Sequence, residues 1–153
     1  MFLDVIENES ITHFEILVKP NSKLRHRKIA KNSRYSTLIA EINENSTYCL
    51  NSTLHSINSQ SFNNNSAILK GVNSKAKLMV NAISQKNSLV VNDADIVIMP
   101  NAENSQGIQN LKNLIINKES NSSLISSRKS SVIFISIKLY LKRLRVIKIK
   151  VFS

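Results

Sequence analysis

The side chains best suited to chemistry are few and scattered. The single cysteine, Cys49, lies in Tyr48-Cys49-Leu50, a run that alternates like a strand. One thiol can hold a cluster only with ligands from elsewhere, so Cys49 is read as a small hydrophobe packed in the interior. His13, His26 and His55 show no i, i+4 pair and no His-Glu-X-X-His signature, so their spacing supports no metal site. Asp93 and Asp95 share a strand face at period two. Paired carboxylates can do acid–base work, but they also mark turns and exposed strand faces, and the pair is expected to mark such a face. No Gly-X-Ser-X-Gly elbow surrounds any serine, and the two glycines, Gly71 and Gly107, are too few for a phosphate-cradling loop. The expectation is no catalytic, cofactor-binding or metal-binding residue, and no enzyme activity of its own.

The elements that position these groups must come from a chain of 153 residues, enough for one domain and one core. A hydrophobic content of 42% excludes wholesale disorder, and no run of 18 apolar residues suggests a membrane-spanning helix. The lone cysteine excludes a disulfide framework and a multi-cysteine zinc site. No basic segment followed by an apolar core and a small-residue cleavage site is present, so a cytoplasmic protein is expected. Enrichment in Asn, Ser, Ile and Lys is partly what an AT-rich genome would give. The net charge of +11 invites a nucleic-acid or anionic-membrane reading. Its placement moderates that. Residues 1–119 hold 13 Lys/Arg and 10 Asp/Glu, a net of +3, whereas residues 120–153 hold 8 Lys/Arg and no acid, a net of +8. A smaller cluster, Lys23, Arg25, Arg27 and Lys28, reads as a solvated polar connection.

Short β-branched runs recur between polar punctuation, at residues 2–6, 13–18, 36–42, 48–54, 67–72, 77–82, 88–91, 95–99 and 113–117. Phe14, Ile16 and Val18 share one face while Glu15 points away, and Leu38 and Ala40 do likewise beside Glu41. Turns rich in Asn, Asp and Ser are expected at 7–10, 43–47, 63–66, 92–93 and 101–105, because these side chains bond to their own backbone. No segment sustains an i, i+3, i+4, i+7 pattern; residues 110–116 come nearest and read better as a strand. Strands so closely spaced mean a sandwich, a barrel or a β-solenoid. The lack of Asn-Gly and Asp-Gly hairpin signals, and the recurrence of Asn where stacked turns could form amide ladders, favour the solenoid.

The stretch Val-Ile-Met-Pro-Asn-Ala-Glu-Asn-Ser-Gln-Gly-Ile-Gln-Asn-Leu-Lys-Asn-Leu-Ile-Ile at 97–116 resembles the core signature of the SufB/SufD family. There a strand ends in Pro, an Ala-Gln-Lys-Thr-type turn follows, then Gln, Asn and a Leu-rich strand; Glu103-Asn104-Ser105 replaces Gln-Lys-Thr here. Residues 91–96 are similar to the family's Val-Phe-Asn-Gly-Lys-Ile strand, 5–16 to its Asn-Ala…His-Tyr rung, and 31–36 and 49–51 to the rungs between. The order and approximate spacings agree over residues 3 to about 121, with the SufD branch closer. The resemblance implies an all-β, right-handed parallel β-helix serving as a non-catalytic scaffold of iron–sulfur cluster assembly. It implies SufB-like and SufC-like partners, a cluster assembled by the complex, and no cofactor held by this chain alone.

Residues 124–153 match nothing in the family, and the Cys/His rung and SufC-binding helices have no counterpart. The expected organisation is therefore a truncated SufD-like core over 1–121 and a basic, strand-like extension over 122–153, as a frameshift or early stop would leave. Within 131–151, Ile133, Ile135, Ile137, Leu139 and Leu141 lie on one strand face, and Ile147, Ile149 and Val151 continue it opposite Lys148 and Lys150. The reading is two amphipathic strands extending or covering the last rung, or an unselected, aggregation-prone extension, and no nucleic-acid partner is expected. The alternative is a basic binding module that meets nucleic acid or an anionic membrane surface through this tail.

Overall fold

The structure is a computed structural model, and it describes residues 1–7, 10–116 and 121–126. They form ten strands: β1 (Phe2–Glu7), β2 (Ile11–Val18), β3 (Lys23–Lys31), β4 (Tyr35–Ile42), β5 (Thr47–Ile57), β6 (Gln60–Leu69), β7 (Lys75–Gln85), β8 (Leu89–Ile98), β9 (Gln106–Ile115) and β10 (Asn121–Ser126). The odd strands make one parallel sheet in the order β1-β3-β5-β7-β9; the even strands make a second, β10-β8-β6-β4-β2. Each turn of the chain thus lays one strand on each sheet, giving the β-solenoid that the strand and corner pattern favoured. No described segment is helical, and no described helix is long and apolar enough to cross a membrane.

The corners explain why the chain coils rather than folding into hairpins. Asn21, Asn45, Asn73 and Asn104 lead from the second sheet back to the first, with φ of 59°, 53°, 55° and 56°. Asn is among the few residues that adopt this left-handed conformation at modest cost. Each is followed by a serine. Stacked corners are tied by backbone bonds, Asn21 N–H to Glu44 O, Asn45 N–H to Val72 O and Asn73 N–H to Glu103 O, at 2.8–3.0 Å. The Asn73 amide also donates to the Asn45 carbonyl oxygen at 3.1 Å. The serines point inward: Ser46 Oγ donates to Lys19 O at 2.7 Å, and Ser105 Oγ to Gly71 O at 3.0 Å. On the opposite edge Asn32, Asn58 and Lys86 take the same backbone turn.

The inward faces bury the core. One cluster gathers Val18, Leu38, Ala40, Ile42, Leu50, Leu69, Leu78 and Leu111 with their neighbours, and a second joins Ile6, Ala30, Leu54, Ala82 and Val90. The repeat is not constant. Along one inward column, Leu24↔Tyr48↔Ala76↔Gly107, the steps are 24, 28 and 31 residues, so no fixed period marks the turns.

Several expectations need correction. Lys23, Arg25, Arg27 and Lys28, read as a solvated connection, lie on strand β3, between β1 and β5 of the first sheet, and Lys28 is fully buried. Residues 63–66 and 92–93, read as turns, lie inside β6 and β8, where Asn63, Asn65 and Asn92 face the interior. The runs at 88–91 and 95–99 belong largely to one strand, β8. Residues 110–115 are strand, as expected. The expected boundary between core and extension falls at the start of β10, which pairs with β8 from Asn121 to Ser126. The two amphipathic strands expected at 131–151 lie outside the described residues.

Candidate functional site

Two polar constellations arise from this winding, one sealed inside and one displayed outside. The interior one starts on β3. Alternation turns Leu24, His26, Lys28 and Ala30 inward, and Lys23, Arg25, Arg27 and Ile29 outward. His26 sits between the side chains of Asp4 and Tyr48: its Nε2–H donates to Asp4 Oδ2 at 2.7 Å and its Nδ1 accepts from the Tyr48 hydroxyl at 2.9 Å. Those partners select the tautomer with hydrogen on Nε2. Burial holds the imidazole below its ordinary pKa, against the opposing pull of the Asp4 carboxylate, and burial pushes the Tyr48 hydroxyl up. An Asp–His–Tyr chain could in principle pass a proton. Here the His26 side chain is 0% exposed and Asp4's is 11% exposed, so the chain serves to lock β1, β3 and β5 together.

One residue pair further along β3, the Lys28 ammonium reaches across to the second sheet. It donates to Asn63 Oδ1 at 3.0 Å and Asn65 Oδ1 at 3.3 Å, above the Phe14 ring. The Asn63 amide in turn donates to Asn92 Oδ1 at 2.8 Å. Loss of water lowers the Lys28 pKa to about 8, with Asp4 opposing. Lys28 occupies the inward column of Ser52, which lies on β5 between Leu50 of the first apolar cluster and Leu54 of the second.

The residues weighed for chemistry are kept apart. Cys49 does not pack in the core: Tyr48 and Leu50 take the inward positions, and the thiol is half-buried on the outer face, in register with Arg25 and Lys77. His13 is on the outer face of β2 beside Glu15 and Thr37, His26 is inside, and His55 is on the outer face of β5 near Gln85. No three His, Cys, Asp or Glu side chains among the described residues are placed to hold a metal ion. Asp93 and Asp95 do share the outer face of β8, half-buried. Burial raises the Asp93 pKa, and its side chain borders a shallow cavity of about 150 Å³ with Tyr35, Phe62 and Val91.

The outer faces differ in sign. The cations of the described strands all lie in the first sheet: Lys28 inside, and Lys23, Arg25, Arg27, Lys31, Lys75, Lys77 and Lys112 outside. The second sheet has none, and carries Glu15, Glu41, Asp93 and Asp95. A near-balanced body thus hides two oppositely charged faces, a separation visible only once alternate strands are assigned to alternate sheets. No family model and no curated protein matches the chain.

Proposed function

We propose that the protein is a non-catalytic scaffold component of iron–sulfur cluster assembly, of the SufD kind, acting in a complex with SufB-like and SufC-like proteins. One observation supports this above others. Residues 97–116, which carry the family resemblance, form the end of β8, a corner and β9 of a parallel solenoid, the kind of architecture the resemblance implies. The described residues accord with a scaffold: the polar cluster around His26 and Lys28 is buried, and the outer faces are two five-stranded parallel sheets. The test is co-expression of the tagged full chain with the SufB-like and SufC-like proteins of the same genome, followed by size-exclusion chromatography. Co-elution as a complex is expected; recovery of the chain free of both partners would overturn the reading.

A further inference from the structure

On the outer face of the first sheet, β5 runs between two strands that carry cations. The register aligns Lys23↔Thr47↔Lys75, Arg25↔Cys49↔Lys77 and Arg27↔Asn51↔Met79. Thr47, Cys49 and Asn51 are half-buried while the flanking side chains are exposed, so β5 forms the floor of a shallow trough. Parallel strands lie about 4.8 Å apart, which puts the two cation rows about 10 Å apart across the floor. Along β3 the cations recur at every second residue, about 6.6 Å apart. The ion pairs Lys70–Glu41, His13–Glu15 and His26–Asp4 engage none of Lys23, Arg25, Arg27, Lys75 and Lys77.

We infer that this trough docks the phosphate backbone of a single-stranded nucleic acid laid along β5. Five uncompensated cations, two of them guanidinium forks that match phosphate oxygens, face a strip one chain wide. Thr47 and Asn51 on its floor can donate further hydrogen bonds to phosphate. The linear arrangement suits a polymer of evenly spaced anions better than a plane of lipid headgroups. The floor carries no aromatic side chain of the sort that anchors a protein partner, and the same lack makes the contact independent of base sequence. A second copy's acidic sheet is a poorer fit, because Glu41 is paired with Lys70, Glu15 meets His13, and Asp93 and Asp95 are half-buried. The residues of this site are on β3, β5 and β7 and are not those of the basic tail to which the sequence alone pointed.

The experiment uses the full chain and a fluorescein-labelled 20-mer of thymidylate, read by anisotropy across a salt series. Five phosphate contacts give an expected slope of log K against log salt near −3.5, since each contributes about −0.7 on single strands. Arg25→Glu with Lys77→Glu should weaken binding tenfold or more, and the milder Arg25→Gln with Lys77→Gln is the check if the first variant misfolds. A full-chain tail variant, Arg143→Gln, Arg145→Gln, Lys148→Gln and Lys150→Gln, should retain most of the affinity. Cys49 supplies a native reporter, because bound oligonucleotide should slow its alkylation by iodoacetamide severalfold. Absence of binding, undiminished binding by the trough variants, or an unprotected thiol would each overturn the inference. So would equal affinity for polyglutamate or for phosphatidylserine vesicles, which would make the face a site for acidic polypeptides or lipid.

Discussion

The Lys28 ammonium donates to Asn63 Oδ1 at 3.0 Å across the interior of the solenoid, joining the first sheet to the second over 35 residues of sequence. A lysine with no exposed surface is costly in its charged form, and its pKa falls to about 8 because burial removes water from it. The unfolded chain, with an ordinary lysine, holds that proton up to about pH 10.5. Between these values the unfolded state binds more protons, so stability must rise with pH.

We expect stability to climb by about 2 kcal/mol between pH 7.5 and pH 10, from a shift of this size. Above pH 10 it should fall again: burial raises the Tyr48 pKa, so the unfolded state loses that proton first. Urea denaturation across the range measures both arms. Lys28→Met should flatten the climb, while leaving Asn63 and Asn65 short of a donor.

At the acid end the sign comes from His26. Its folded pKa lies below the ordinary 6.5, chiefly through burial, so the unfolded state takes up the proton first as pH falls. Stability should decline from pH 7 to pH 5.5. In His26→Gln the baseline should be lower and this decline smaller. An unchanged acid slope would show that His26 titrates alike in both states.

The corners yield a test of backbone strain. Asn45 and Lys86 have φ of 53° and 58°, where ordinary side chains crowd their own backbone. Asn45→Ala should cost about 1–2 kcal/mol and Asn45→Gly much less. Lys86 takes the turn that Asn32 and Asn58 make on the same edge; Lys86→Asn should raise stability by a few tenths to about 1 kcal/mol. Thermal melts at fixed pH would rank all three.

What was legible in the sequence was what depends on neighbours in the chain. Leu38, Ala40 and Ile42 alternate with less buried positions, and β4 is where that alternation puts it. Asn45 and Asn104 were read as corner residues, and they are. What depends on residues far away was not legible. The inward face of β3 reads His26, Lys28, Ala30, and that of β6 reads Asn63, Asn65, Ala67. Each looks like polar surface or turn when taken alone. Lys28 from the one and Asn63 and Asn65 from the other are the two halves of one buried hydrogen-bonded cluster, and neither half makes sense without the other. Cys49 was misplaced for a related reason: a strand pattern gives the period of a face, and only the winding says which face is inside. The opposite charges of the two sheets were concealed in the same way, by the alternation of strands between them.

Gly71, between β6 and β7, packs directly against the backbone of a neighbouring corner. A Cβ there would stand 2.1 Å from the backbone nitrogen of Glu44 and 2.5 Å from its Cα. Those atoms belong to the corner of the preceding turn, which is held by the backbone bonds Asn45 N–H to Val72 O and Lys70 N–H to Ile42 O. The contact cannot be relieved by rotating a side chain; one corner must lift off the other. Gly71→Ala should therefore destabilise the protein by about 1–3 kcal/mol, the usual cost of forcing atoms into a packed site. Gly107 offers the contrast, since its added Cβ would meet the Ile96 side chain, 2.7 Å from Cγ2, which can adjust. Gly107→Ala should cost less than Gly71→Ala in the same urea titration. Equal losses would mean that the corners yield as readily as the core side chains.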